Sequence, residues 1–290
     1  MRAPHGASIT CLVLIKVMAS PAPYRPVFFR SDTRETMMIK SFLAALALFA
    51  ATVNPALAAS DDCTADERVA LSAYRALTED HLSGVLAAER ALAATADAQS
   101  ADWARIKPAL ASLARDVTTE AAVWYAMPDG HYYTVDGDLS KESLKDRAYF
   151  PALLADKSVE GTLVISKSTG HRSIIVAAPV VRDGKVVAAI GVSIRARLLA
   201  AMVAEKTHMP DNLIFYALDA DGRTAIHKDP ERMFEFPSDM GAPSLGAAVN
   251  TILKAPSGSV SYEFRGQKRT ALFETSGVLG WHFVLAREDR

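Results

Sequence analysis

The chain has 290 residues, with 32 Lys and Arg against 33 Asp and Glu, for a net charge of −1 at pH 7. Near-neutrality with 22% interspersed charged residues excludes the basic stripe of a nucleic-acid binder and gives no electrostatic case for an acidic membrane surface. Half the residues are hydrophobic, enough for one large or two small cores, and two cysteines exclude a disulfide framework.

Residues 1–36 contain Pro and Arg, fit no targeting pattern and read as a non-native N-terminal extension, with translation expected to begin at Met37 or Met38. Lys40, the apolar run Phe42–Val53 and the small-x-small site Ala56-Leu57-Ala58 make residues 37–58 a secretory signal cut after Ala58. Asn54-Pro55 interrupts that run before it reaches spanning length. Cys11 falls in the discarded leader, which leaves Cys63 as a lone exposed thiol or half of an intermolecular bridge. The expected product is soluble and periplasmic or secreted.

Residues 59–118 read as a helical stalk. From Ala65 to about Ala96 the chain is rich in Ala, Leu and Glu, with Leu71, Tyr74, Leu82, Val85 and Leu92 on one helical face. That face must pack on its own domain or on a second copy, giving a homodimer through the N-terminal helix. A second helix is expected from Asp102 to Asp116, capped by Ser100 or Asp102 and kinked or restarted by Pro108.

After Thr118 strands and turns take over. Val123–Val135 (VWYAMPDGHYYTV) is echoed by Ile214–Ile226 (IFYALDADGRTAI), each an aromatic strand, an Asp-Gly turn and a returning strand. Gly161–Ser166, Ser173–Val181 and Lys185–Ile194 are strand-like, separated by turns at Ser168–Gly170 and Asp183-Gly184. Gly161-Thr162-Leu163-Val164 returns as Gly258-Ser259-Val260-Ser261, and each unit ends on an apolar strand, Val186–Ile194 and Trp281–Ala286. The expected fold is α+β: a long N-terminal helix, then two tandem units at 119–205 and 206–290, each an antiparallel sheet with flanking helices, joined by a helix over Arg195–Thr207.

From about Thr64 onward the chain resembles the double Cache family of extracytoplasmic sensor domains, whose modules are PAS-like. The resemblance rests on PDGHYY, DRAYF, SKSTG, AAPVV and AAIGVSI between Met127 and Ile194, and more loosely on DADG, GSVSYEF and LGWHFVLA in the second unit. It implies that the first, membrane-distal module binds a small ligand between its sheet and the Arg-x-aromatic turn, here Arg147 and Tyr149. The amino-acid-sensing branch carries Tyr-x-Asp and a later Asp to hold an ammonium. This chain has Val164, Ser166 and Ser193 at those places, so a buried ammonium would lack its counter-charge. Arg147 still offers a two-donor fork, which favours a small carboxylate or another polar metabolite over a zwitterion. The expected contacts are Arg147, Tyr149, Ser166, Ser193, Tyr133, Trp124 and Ser168. Tyr149 and Phe150 are expected to divide, one to the core and one to the site.

Such domains ordinarily feed a kinase, chemoreceptor or cyclase output. The sequence as given stops at Arg290 without a span or output, so a membrane-bound receptor or kinase is the expected partner. No cofactor or metal is expected: the seven histidines are scattered, and Asp219-Ala220-Asp221-Gly222 lacks the remaining ligands of a calcium loop. An enzyme is not expected, since Gly191-Val192-Ser193-Ile194-Arg195 lacks the second glycine of a nucleophile elbow. Two other readings stand behind the sensor: an interaction module whose distal pocket is filled by its own side chains, and then a hydrolase.

Overall fold

A computed structural model describes residues 66–289. The N-terminal extension, the signal peptide, the start of the stalk and Cys63 lie outside the described residues.

The first helix, α1 (Glu67–Ala93), opens on Asp66, whose carboxylate accepts the Arg68 N–H at 2.8 Å. Its 27 residues span about 40 Å. Leu71, Tyr74, Thr78, Leu82, Val85, Leu86, Glu89 and Ala93 are buried, one continuous face. The helix stops short of the expected Ala96 because Thr95 caps a separate turn, α2 (Ala96–Gln99). Helix α3 (Trp103–Asp116) is capped by Asp102, which accepts the Ala104 N–H at 2.9 Å. Pro108 removes one helical hydrogen bond without ending the helix, so the helix does not restart there.

The first sheet holds β1 (Glu120–Ala126), β2 (His131–Thr134), β3 (Asp138–Ser143), β4 (Val159–Ile165), β5 (Arg172–Arg182) and β6 (Lys185–Arg195), in the order β3-β2-β1-β6-β5-β4. Between β3 and β4 lies the short helix α4 (Phe150–Leu154). Asp183 and Gly184 join β5 to β6 with φ of +53° and +72°, as a two-residue hairpin turn with both central residues left-handed requires. Helix α5 (Ala196–Thr207) leads to the second sheet: β7 (Leu213–Leu218), β8 (Thr224–His227), β9 (Ser257–Phe264), β10 (Gln267–Thr275) and β11 (His282–Glu288), in the order β8-β7-β11-β10-β9. Helix α6 (Pro243–Ile252) precedes β9. Apart from β3, the two sheets have the same strand succession, and all their pairings are antiparallel.

The duplication is offset by one residue from the sequence echo. Gly130 N–H donates to the Met127 carbonyl at 2.9 Å and Gly222 N–H to the Asp219 carbonyl at 3.0 Å, so the turns superpose on their glycines. Counting back, Trp124 matches Tyr216 rather than Phe215. In a strand, one residue exchanges the two faces.

One face of α1 serves both sheets. Tyr74 lies 5.1 Å from the rings of both Phe215 and Phe283 in the second sheet. Farther along, Ser83 donates to Glu160 at 2.7 Å on the first sheet. The Leu71–Leu92 face is thus consumed within the chain, which corrects the expectation that it could pair two copies or bind a partner. The sheets also touch directly: Arg223 donates to the Leu163 carbonyl at 3.2 Å, and the Trp281 ring sits 3.3 Å from where a Cβ on Gly161 would lie. No helix among the described residues is long and apolar enough to cross a membrane.

Glu89 is the exception on this face. It is fully buried and, among the described residues, neither carboxyl oxygen has a hydrogen-bond partner of normal geometry. Burial pushes its pKa well up, with the nearby Val192 backbone pulling the other way. The folded state therefore holds a proton that the unfolded chain releases above the ordinary carboxylate range, so stability falls as pH rises past that range. We expect Glu89→Gln to flatten this loss: urea melts at about pH 5 and about pH 8 should differ more for wild type than for the variant.

Candidate ligand site

The expected site lies on the face of the first sheet opposite α1, under the segment that connects β3 to α4. Two backbone bonds fix that segment: Arg147 N–H to the Leu144 carbonyl and Phe150 N–H to the Arg147 carbonyl, both at 2.9 Å. They present Arg147 toward the end of β4, where its Nη2 donates to the Ile165 carbonyl at 2.6 Å. Its Nε is buried and has no partner. The neighbouring Asp146 does not neutralise it; Asp146 instead accepts from Lys167 at 2.6 Å, which holds its carboxyl below the usual range. Arg147 is thus a half-buried cation with no carboxylate partner among the described residues.

Tyr149 follows, buried beside Arg147. Burial raises its phenol, while the Arg147 charge opposes the rise. Tyr149 and Phe150 do not divide as expected; both enter one cluster with Trp124, Tyr132 and Leu153. Trp124 crosses β6 at Gly191, where a Cβ would lie 2.0 Å from a ring carbon. Only glycine lets the indole lie flat there.

Ser193 is buried on this face, paired with Ala122 and Ile175. Ser166 is buried too, but its Oγ is used locally, accepting the Thr169 N–H at 3.3 Å and lying 3.3 Å from the Oγ of exposed Ser168. The same turn recurs at Ser276, whose Oγ accepts the Leu279 N–H at 2.8 Å, so this serine is a turn former in both sheets. Tyr133 belongs to the other face, stacked on Trp103 at 5.1 Å. Its place in the cluster is taken by Tyr132, opposite Ala126 in the register. The structure therefore brings Arg147, Tyr149, Trp124 and Ser193 to one face, keeps Ser166 and Ser168 at its rim and removes Tyr133. Among the described residues, no three of His, Cys, Asp and Glu converge as a metal site needs.

Solved structures share this fold. The sensory domain of the Campylobacter jejuni chemoreceptor Tlp3, with isoleucine bound, is 15% identical with a TM-score of 0.56, covering 77% of this chain and 89% of that one. The fold is that of a double Cache sensor domain. The Pseudomonas fluorescens chemoreceptor CtaA ligand-binding domain, in complex with L-isoleucine, is 16% identical at a TM-score of 0.58, covering 77% and 89%. The extracellular domain of rpHK1S-Z16, described as a histidine kinase, reaches 0.63 at 16% identity, covering 77% and 92%. No family model matches the sequence, and no curated protein matches it.

The Trp124–Gly191 contact carries a direct test. Gly191→Ala should destabilise the protein by about 1–3 kcal/mol through overpacking, read as a lower urea midpoint with an unchanged slope.

Proposed function

We propose that the protein is an extracytoplasmic small-molecule sensor whose first module recognises a small carboxylate or similarly polar metabolite at Arg147, and that it signals through a membrane-bound receptor or kinase. The observation that carries this reading is the Arg147 guanidinium: half-buried and, among the described residues, free of any carboxylate, with its Nε buried and unpartnered. A buried N–H left open is costly, and a ligand oxygen that fills it recovers that cost.

The similar chemoreceptor domains were solved with isoleucine. The positions that would carry ammonium-binding carboxylates are here Val164, packed against the aromatic cluster, Ser166, spent on its turn, and Ser193. That set supports a ligand with a carboxylate and no ammonium. Trp124, Tyr132, Tyr149 and Phe150 are buried in one cluster beside Arg147. The same packing favours a second reading, an interaction module with no ligand at this site.

Thermal melting of residues 59–290 against small organic acids, amino acids, amines and purines separates the two. A ligand at about 100 times its dissociation constant adds about 2.7 kcal/mol, several degrees for a protein of this size. We expect a shift with organic acids that disappears in Arg147→Ala. A flat panel, with the variant melting like wild type, would select the interaction module.

A further inference from the structure

The second sheet ends on an unguarded edge. Its last strand, β9, pairs only with β10, through a hairpin whose turn residues Arg265 and Gly266 have φ of +53° and +76°. That hairpin fixes the direction of every main-chain group in β9. The closing pair, Phe264 with Gln267, exchanges bonds, and so do the alternate pairs Tyr262–Arg269, Val260–Ala271 and Gly258–Phe273. The groups of Glu263, Ser261, Ser259 and Ser257 therefore point out of the sheet. Two further bonds agree with this parity: Thr275 N–H to the Pro256 carbonyl at 2.7 Å, and Asp289 N–H to the Lys268 carbonyl at 2.9 Å.

At one end the outward groups are used. Ser244 Oγ donates to the Glu263 carbonyl at 2.9 Å and accepts the Glu263 N–H at 3.0 Å. From there α6 crosses away from the edge, and Val249 and Leu253 lie against Gly222 in the turn between β7 and β8. On the other face a groove of about 410 Å³ separates Ser257, Gly258 and Ser259 from Arg68, Leu71 and Ser72 of α1. Neither helix covers the stretch 257–261. Among the described residues nothing hydrogen-bonds to the outward main-chain groups of Ser257, Ser259 and Ser261, and all three are exposed. The run Ser-Gly-Ser-Val-Ser also lacks the charges and prolines that ordinarily blunt a sheet edge.

We propose that two copies of the chain join at this edge, β9 against β9 in antiparallel pairing about a twofold axis at Ser259. The open stretch is bounded by Pro256, which has no N–H, and by the capped Glu263, so Ser259 is its midpoint. Ser257 then faces the partner's Ser261, Ser259 faces the partner's Ser259, and each facing pair exchanges two main-chain bonds. The charges at the two ends match as well. Glu263 and Lys254 are exposed and, among the described residues, form no ion pair. The twofold register sets Glu263 opposite the partner's Ala255, beside the partner's Lys254, and does so twice. This self-complementarity selects a second copy over an unrelated strand. The seam is short, so the dimer is a weak one. It uses neither the α1 face nor Arg147, and it forms without a ligand.

Sedimentation velocity of residues 59–290 at low ionic strength, from about 5 to about 500 µM, tests the pairing. We expect wild type to pass from monomer to dimer across that range. Ser259→Pro removes an outward N–H and no bond within the chain, so it should melt within a few degrees of wild type. Its dimer should be at least about tenfold weaker. Glu263→Lys sets two lysines side by side at each end and should weaken the dimer several-fold; adding Lys254→Glu should restore it. That exchange decides the matter if Ser259→Pro does not fold. The proposal is overturned if wild type stays monomeric throughout, which would leave the edge to a strand of another protein. It is equally overturned if folded Ser259→Pro dimerises like wild type, or if the double charge exchange fails to recover what Glu263→Lys loses.

Discussion

Burial of one face of α1 is the constraint on which the rest of the structure depends. Both sheets turn an apolar face toward the same helix, so neither completes its core alone. Tyr74, wedged between Phe215 and Phe283, fixes the second sheet on the first half of the helix, and Leu82, Val85 and Leu86 continue the same core toward the first sheet. Each fully buried aliphatic side chain of this kind contributes about 1.5–3 kcal/mol. The ion pairs along the same helix, Glu67 with Arg287 and Arg75 with Glu274, are partly solvated and add much less. Apolar burial holds the modules together, and the charges only trim the register.

The two modules show what one framework does with different fillings. Strand succession and the covered face are the same, but the first module fills the space opposite α1 with Trp124, Tyr132, Tyr149 and Phe150. The second places Tyr216 at the position of Trp124 and surrounds it with arginines. Its polar groups are consequently more deeply desolvated than Arg147 is. The first module therefore has a cation at its rim over a closed core, whereas the second has cations inside its core.

Much of this was legible in the sequence because local chemistry dictated it. Asp183-Gly184 supplies two left-handed residues and can only be a tight hairpin. The spacing of Leu71, Tyr74, Leu82 and Val85 marks a single helix face, and the strand runs flanking 183–184 fall within a residue or so of their final ends. Facing was not legible. Tyr132 and Tyr133 are adjacent aromatics in a four-residue strand, and only the pairing of Tyr132 with Ala126 decides which of them points to the site. The echo of Trp124-Tyr125 in Phe215-Tyr216 misled by one residue, because the matching letters sit one position farther from the turn in the second strand, while the turns Met127–His131 and Asp219–Arg223 are equally long. Nothing in the sequence joins Arg232 from a 3-10 turn, Arg265 from a hairpin loop and Arg269 from a strand. They meet only because β8, β9 and β10 bring them around Phe264.

The placement of the tryptophans has a practical consequence. The chain has three, and each reports a different part of the molecule. Trp103 stacks on Tyr133 where α3 meets the first sheet, Trp124 lies on Gly191 inside the first module, and Trp281 abuts Gly161 where the two modules touch. Their surroundings run from half-exposed to nearly dry, so their emission should differ in wavelength and in access to quenchers. The protein therefore carries intrinsic optical probes of its first-module core and of its module junction, without an attached dye.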